Sequence, residues 1–365
     1  MKKQVLLGAA MLFAAGSLFA QECADCEIDQ IPTGPRGAAV NTSDVHQVGF
    51  SQTADVFQDG TGNYSMIDQN GSNGTAAFGG NTNMAVVSQQ GTTNHSLIDQ
   101  NGDFNSNYVT QMGTDNFASQ IVGAGWSENN YASAYQSGVE NTSFQRQYHD
   151  NNRATVVQYA PWSMYGYTGN YAEQYQNSRA NGVAGSVAHI YQYGGNHNAS
   201  KQTQNGSYNN ANSHQHGWNN TSVETQTSDA GGFSSNSSTV YQLGGGNLSC
   251  VTQVATEFGM NQSNVSQSEW NWAYNEANVD QNASGSGYNL SNIYQYGFEN
   301  EACVTQTATA GMNNSMVNQT NYINGMGNLA VVNQNSDVIG NYSLVNQNGS
   351  NTAMVRQNNG TSVPF

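Results

Sequence analysis

The sequence is short of charge, proline and apolar residues, and each shortage excludes a class of protein. Of its 365 residues only 9% are charged, 36% are hydrophobic and four are proline, whereas 40 are glycine. A chain of this length would ordinarily form two or three globular domains, but here there are too few apolar residues for several cores. The steady supply of valine, isoleucine and tyrosine separates it from disordered linkers. Bulk apolar burial alone therefore cannot hold the fold together.

Positive charge is scarcer still, with 8 Lys and Arg against 24 Asp and Glu. Phosphate backbones and anionic lipid surfaces would repel such a chain, so we expect neither nucleic acid nor a membrane as partner. Residues 1–20 are predicted to be a secretory signal peptide, because Lys2 and Lys3 precede an apolar run that ends in small residues. That run is short and interrupted, which disfavours a membrane anchor. The mature chain is expected to be secreted.

One pattern, Asn-x-[Ser/Ala]-x-x-x-Gln, recurs 21 times between residues 41 and 357. Its first, third, fifth and seventh positions lie two residues apart, so in a strand their side chains share one face. The fifth residue is Val or Ile in 15 of the 21 copies, whereas the second, fourth and sixth vary freely. A helix would not fit a period of two. The pattern predicts a strand whose amide and aliphatic side chains face inward.

Buried amides are costly unless each donor and acceptor finds a partner. If identical coils stack, each Asn or Gln can bond to the same residue above and below. The predicted amide ladder comprises Asn41, Gln47, Asn63, Gln69, Asn94, Gln100, Asn247, Gln253, Asn300, Gln306, Asn341, Gln347, Asn351 and Gln357. The predicted buried aliphatic set is Val45, Ile67, Val87, Ile98, Val251, Val304, Val345 and Val355. A disordered, prion-like tract is the competing interpretation, but such tracts do not place valine between fixed amides.

Many copies continue Gln-x-Gly, as in Gln100-Asn101-Gly102 and Gln347-Asn348-Gly349. Glycine there supplies the positive φ of a tight turn, so each strand should end in a corner. Three segments miss the pattern by one residue (52–58, 105–111 and 186–192), and two decayed copies lie near Asn73 and Asn116, which makes 26 units of about eleven residues. Such units give two strands per coil. The fold class is therefore all-β. We predict a flat two-sheet, cross-β-like solenoid of about thirteen coils over residues 41–357, between a leader (21–40) and a tail (358–365).

The middle of the array departs from the aliphatic pattern at the fifth position. The residues found there are Ala134, Gln145, Gln174, Gln202, Ser213 and Glu224. Without aliphatic side chains in the interior, these coils are expected to be the loosest of the solenoid.

The repeat, and above all Ile190-Tyr191-Gln192-Tyr193-Gly194 and its counterpart Ile293 to Gly297, resembles curlin repeats. These are the units of the extracellular curli amyloid fibre of enteric and related bacteria. The resemblance covers nearly the whole mature chain and implies a fibre subunit, or fimbrium, of biofilm matrix and cell adhesion. By analogy it also implies a nucleator subunit and an outer-membrane export pore as partners. The array here is about twice the usual length, and residues 21–40 lack the family's Gly/Asn-rich composition.

Both ends of an open solenoid present unpaired backbone groups, and no polar or charged cap is evident in the sequence near Asn41 or Gln357. The chain is therefore expected to assemble with itself. The alternative is a monomeric, surface-displayed adhesin that binds carbohydrate or a host protein through outward tyrosines. Those tyrosines are Tyr135, Tyr175, Tyr191, Tyr241 and Tyr294.

No motif for nucleophilic, metal-dependent or nucleotide chemistry appears, so we predict no enzyme, no cofactor and no metal site. Cys23 and Cys26 are a candidate local disulfide, or a crosslink to another chain, in an oxidising compartment. Cys250 and Cys303 hold the same outward position four units apart, about 9 to 10 Å, which exceeds disulfide reach. These two cysteines are predicted to be free, or paired between fibres.

Overall fold

The structure is a computed structural model, and it describes residues 40–71, 82–123, 127–161, 169–178, 184–229, 233–269, 274–322 and 327–359. The predicted signal peptide lies outside these residues, as does the leader apart from Val40 and the tail apart from residues 358 and 359. Within the described ranges all regular structure is β-strand, and no helix there could span a membrane.

The described residues form twenty-five strands that follow one another along the chain. In order they are β1 (Thr42–Val48), β2 (Thr53–Thr61), β3 (Tyr64–Asn70), β4 (Met84–Thr92), β5 (His95–Asn101), β6 (Ser106–Thr114), β7 (Phe117–Val122), β8 (Tyr131–Val139), β9 (Thr142–Tyr148), β10 (Arg153–Ala160), β11 (Tyr171–Asn177), β12 (Val187–Tyr193), β13 (Ala199–Asn205), β14 (Asn209–Trp218), β15 (Thr221–Ser228), β16 (Ser235–Gly245), β17 (Leu248–Ala255), β18 (Met260–Ser268), β19 (Glu276–Ala283), β20 (Tyr288–Gly297), β21 (Glu301–Ala308), β22 (Met312–Asn321), β23 (Leu329–Ser336), β24 (Asn341–Asn348) and β25 (Thr352–Asn359).

Odd-numbered strands form a 13-stranded sheet and even-numbered strands a 12-stranded sheet, and every pairing is parallel between strand n and strand n + 2. We call these the odd sheet and the even sheet. This confirms the predicted all-β solenoid with two strands per coil. The coil count is slightly lower than the thirteen predicted, since the sheets give twelve two-strand coils and one further strand. The decayed unit near Asn73 falls in residues 72–81, outside the described residues, whereas the one near Asn116 forms β7.

Register follows the repeat residue by residue. In the odd sheet Val279 pairs with Val304 and Gln281 with Gln306, so like side chains stack along the axis of the solenoid. Because the side-chain period of a strand is two, a slip of one residue would turn this whole set outward. Burial alternates accordingly along most interior strands, as in β21 and β22.

The corners contain glycines with positive φ, as the Gln-x-Gly pattern predicts. Gly102 and Gly349 have φ values of 97° and 90°. A Cβ on Gly102 would lie 2.1 Å from the carbonyl oxygen of Ser127 in the neighbouring coil. Close coil stacking therefore requires glycine at that corner.

The apolar core is divided along the solenoid into three clusters. The largest spans β16 to β24 and contains Val251, Val279 and Val304 from the odd sheet facing Val265 and Ile293 from the even sheet. A second cluster occupies the first coils and a third, of three residues, lies between them. Polar side chains fill the interior where the aliphatic stack stops.

Candidate functional site

The seventh-position glutamines of the even sheet form one unbroken ladder across all twelve strands. Each Nε2 donates to the Oε1 of the glutamine in the next coil, at 2.7 to 2.9 Å. The members are Gln58, Gln89, Gln111, Gln136, Gln158, Gln192, Gln215, Gln242, Gln267, Gln295, Gln319 and Gln347. Most Nε2 groups also donate to a backbone carbonyl, as Gln89 does to Tyr64 at 2.9 Å. The buried amides thus meet the requirement on which the sequence prediction depends.

In the odd sheet the corresponding ladder is interrupted once. It runs from Gln47 through Gln69 to Gln100, and the next residue in register is Val122. Gln100 donates instead to Oδ1 of Asn107 across the interior, at 2.7 Å. The ladder resumes at Gln147 and continues to Gln357, with steps of 2.7 to 2.9 Å.

First-position asparagines form further ladders whose side-chain bonds run in the opposite direction. Nδ2 of Asn94 donates back to Oδ1 of Asn63, at 3.1 Å, and Nδ2 of Asn328 donates back to Oδ1 of Asn300, at 2.8 Å. Glutamine N–H groups therefore point toward the C-terminal end of the stack, and asparagine carbonyls point the same way. The two ends of the solenoid consequently differ in chemistry.

A further ladder fills the middle of the odd sheet at the fifth position. Gln120 donates to Gln145, Gln145 to Gln174 and Gln174 to Gln202, at 2.7 to 3.0 Å, and all four are fully buried. The sequence analysis noted Gln145, Gln174 and Gln202 only as departures from the aliphatic pattern, and it did not single out Gln120. The signal that would have revealed the ladder is their alternation: the Gln residues fall in successive odd units, whereas the even units between them hold Ala134, Val156 and Ile190.

Glu224 ends this inner ladder. It accepts a hydrogen bond from Nε2 of Gln202 at 2.9 Å, and it pairs in register with Val251 on its other side. Its Oε2 is buried without a hydrogen-bond partner among the described residues. Burial raises the pKa of the Glu224 carboxyl to about 7. A carboxyl in this position is most stable when it is protonated.

Most predicted ladder and core residues lie where the sequence placed them, and the exceptions are all in the end strands. Val45, predicted to be buried, is 43% exposed, and Gln47 is exposed as well. At the other end Val355 and Gln357 are half-buried and Asn351 is exposed. The expected burial was wrong at these positions because, among the described strands, β1 and β25 each have a neighbour on one side only. Gln47 and Gln357 are nevertheless members of the odd-sheet ladder. The remaining predicted members are buried, apart from half-buried Asn41.

The prediction that Cys250 and Cys303 are free was wrong. Both are disulfide-bonded, and no described cysteine is free. Cys23 and Cys26, the candidate local disulfide, lie outside the described residues. The described residues also contain no group of three or more His, Cys, Asp or Glu side chains placed to hold a metal ion.

Residues 51–77 match a family model described as the curlin associated repeat. No curated protein matches the chain at a significant level. The matched segment contains β2 and β3, one odd and one even strand, and the same heptad recurs in the strands that follow. The match supports a curlin-repeat family and indicates a curli-type structural subunit. In that family the repeat implies self-assembly into extracellular fibres.

Proposed function

We propose that this curlin-repeat chain is a secreted subunit that assembles head to tail into extracellular curli-like amyloid fibres, which serve biofilm matrix and cell adhesion. The observation that carries the proposal is the pair of end strands. Both strands are exposed. The glutamine ladders end in carbonyl oxygen acceptors at the first strand and in N–H donors at the last. A nucleator subunit and an outer-membrane export pore are proposed as partners on the family resemblance alone.

The first strand offers acceptors. Gln47 and Gln58 donate into the stack through Nε2, so their Oε1 atoms face the side of the stack that has no neighbouring described strand. Val45, 43% exposed, presents an apolar surface beside them. A strand that stacked on β1 would cover this valine and meet the carbonyl oxygens.

The last strand offers the matching donors. Nε2 of Gln357 makes a single hydrogen bond, to the carbonyl of Tyr342 at 2.8 Å, whereas Nε2 of Gln306 in the interior makes two. Gln357 of one copy can therefore donate to Gln47 of the next, while Val355 covers Val45. Because the odd sheet has one strand more than the even sheet, the odd sheet carries this contact. The joint repeats the bonds made inside each subunit, which is how cross-β stacks grow.

Fibre growth tests the proposal directly. The mature chain should form fibres that bind thioflavin and give a reflection at about 4.7 to 4.8 Å. Val355→Lys places a charge on the inward face of β25 and should strongly slow elongation, because β1 of another copy can no longer stack on β25 without burying an ammonium group. Met354→Lys adds the same charge on the outward face of the same strand and should elongate normally.

A mature chain that remains a soluble monomer would contradict the proposal and would favour the adhesin alternative. The outward Tyr191, Tyr241 and Tyr294 of the even sheet are 38%, 40% and 47% exposed, so an aromatic face is available for that role. Equal elongation rates for the two lysine variants would also count against stacking through β25.

A further inference from the structure

The two ends of the solenoid differ in charge as well as in hydrogen-bonding chemistry. The first three strands and their corners, residues 40–71, contain four carboxylates and no Lys or Arg. These are Asp44, Asp55, Asp59 and Asp68, and all but half-buried Asp68 are exposed. The last two strands contain one charged side chain, the exposed Arg356. The first end, at β1 to β3, is therefore acidic, and the last end, at β24 and β25, carries a single cation.

The position of Arg356 is unusual for this chain. No other Lys or Arg lies in residues 202–365, and none lies in residues 37–145. Its neighbour in register on β23 is the uncharged Asn333. On the other side of β25 there is no described strand. A second copy that stacks there can supply a partner for the guanidinium group.

Outward side chains on neighbouring strands meet in two ways in this solenoid. Side chains in register can pair directly, as Nζ of Lys201 does with Oε2 of Glu173 at 3.3 Å. Side chains offset by two residues also meet, since the hydroxyl of Tyr288 donates to Oε1 of Gln262 at 3.0 Å. Tyr288 pairs in register with Met260, so Gln262 lies two residues further along β18. A long side chain therefore reaches its diagonal neighbour.

A second copy that continues the stack brings a diagonal pair of opposite charge together. If the glutamine and valine columns of the two end strands run on from one copy to the next, Met354 lies in register with Asp44 of the next copy. Arg356 is then two residues further along β25, which is the same offset, in the same direction, as in the diagonal pair between β18 and β20. The guanidinium group of Arg356 therefore reaches the carboxylate of Asp44.

We propose that Arg356 of one copy pairs with Asp44 of the next, and that this contact directs unlike ends to join. The proposal rests on the fibre function above, and it identifies the partner at each joint as the first strand of a second copy. Asp68 adds negative charge at the same place, because its Oδ1 lies 3.2 Å from Nδ1 of His46, which faces Arg356 in register. The complementary charges thus lie on the odd sheet, where the two copies meet.

Like ends lack this complementarity. Two first ends would oppose four carboxylates to four carboxylates, and two last ends would oppose Arg356 of one copy to Arg356 of the other. The chain as a whole carries 24 Asp and Glu against 8 Lys and Arg, so two copies repel one another as they approach. A cation that meets carboxylates at the joint raises the rate of productive encounter, and like charges suppress the wrong pairing.

The two kinds of contact at the joint have different roles. The glutamine and valine columns set the register, because a slip by one residue would turn them outward. The ion pair is exposed, so salt screens it and its contribution to the strength of the joint is small. It should therefore act on the elongation rate and on the dependence of that rate on salt.

Seeded elongation at two salt concentrations tests the proposal. Each variant is added to seeds of the same variant at about pH 8, where histidines are ordinarily uncharged, and growth is followed by thioflavin fluorescence. At about 10 mM salt Arg356→Glu should slow elongation about five- to tenfold, and at about 1 M salt the difference should fall below about twofold.

Lys201→Glu is the matched control for charge. It makes the same change of charge on the outward face of the odd sheet, in the middle strand β13. That strand is six spacings, about 29 Å, from either end. Screening over this distance should keep the effect on elongation below about twofold, even at low salt.

A charge swap tests the pairing itself. Asp44→Arg should slow elongation as Arg356→Glu does, whereas the double variant with both substitutions should recover to within about twofold of the wild-type rate. Asp55→Arg changes the charge of the first coil by the same amount, but on the outward face of the even sheet, and should not slow growth.

The outcomes separate this proposal from the proposed function. If the wild type forms no fibres, both are overturned. If wild-type fibres grow but Arg356→Glu elongates at the rate of Lys201→Glu, or the double variant remains as slow as the single ones, the charge pairing is overturned and the fibre function stands.

Discussion

The fifth position of the odd sheet is filled in two ways along the solenoid. From β7 to β15 it holds Gln120, Gln145, Gln174, Gln202 and Glu224, and from β17 to β23 it holds valine. Backbone register is the same in both regions, and Glu224 pairs directly with Val251 where they meet. The comparison shows that the backbone accepts either an apolar or a polar interior. Within each region a side chain lies between like neighbours, and the unlike pairs Ile98–Gln120 and Glu224–Val251 mark the boundaries.

The two regions differ in what stabilises them. Burying an aliphatic side chain contributes about 1.5 to 3 kcal/mol, and it needs no particular partner. A hydrogen bond contributes about 1 kcal/mol net. A column of hydrogen-bonded glutamines also leaves one amide or carboxyl group at each end without a like partner. Both ends of the inner ladder are imperfect, since Oε1 of Gln120 and Oε2 of Glu224 are buried without partners among the described residues. The boundaries should therefore be more sensitive to substitution and to pH than the column itself.

The largest expected effect is at Glu224. Its pKa is raised from 4.5 to about 7 in the folded chain, so its contribution is fully present below pH 4.5 and is lost as the pH rises through about 7. Glu224→Gln removes the charge and should be more stable than the wild type above pH 7, by on the order of 3 kcal/mol. Guanidinium unfolding followed by circular dichroism at pH 5 and pH 9 measures this difference.

Asp55→Asn is the matched control, because it removes a carboxylate from an exposed, outward position of β2. It should keep the wild-type pH slope. A Glu224→Gln variant with that same slope would show that the buried carboxyl does not control the boundary.

The next largest effect is expected from placing an amide in the aliphatic column. Val304 is 1% exposed and lies between Val279 and Val332. Val304→Gln should destabilise the solenoid by about 2 to 3 kcal/mol, because the amide has no glutamine above or below and is larger than valine. Val304→Ile retains the apolar character and should cost less than half as much. Equal destabilisation by the two variants would mean that side-chain volume, and not polarity, determines the loss of stability.

The converse substitution should have a smaller effect. Gln174→Met keeps the side-chain length but removes one donor and one acceptor from the inner ladder. Nε2 of Gln145 retains its bond to the carbonyl of Ser133, at 3.1 Å, so the loss should be about 1 to 2 kcal/mol. Tyr175→Phe, on the outward face of the same strand, should be close to neutral. A stabilised Gln174→Met variant would show that the ladder is less favourable than apolar contact.

These differences mark how far the sequence alone could predict the molecule. The heptad predicted the strand face, the parallel stacking and the seventh-position amides, because a period of two leaves only one way to bury them. It did not reveal the inner ladder, which depends on assigning alternate units to opposite sheets. It also placed Val45 inside, since the heptad is the same in an end strand as in an interior one. Nor did the spacing of the cysteines reveal that Cys250 and Cys303 are disulfide-bonded.

The smallest expected difference concerns local opening. Backbone amides of β9 to β15 should exchange hydrogen faster than those of β17 to β23, by up to about tenfold, or ~1.4 kcal/mol in opening free energy. The reason is that a column of glutamines contributes less per residue than a column of valines, while the backbone bonds are the same. Hydrogen exchange with mass spectrometry on the assembled chain measures both regions at once. Glu224→Gln should reduce the difference in exchange rate, because it completes the glutamine ladder. Slower exchange in β9 to β15 than in β17 to β23 would contradict the prediction.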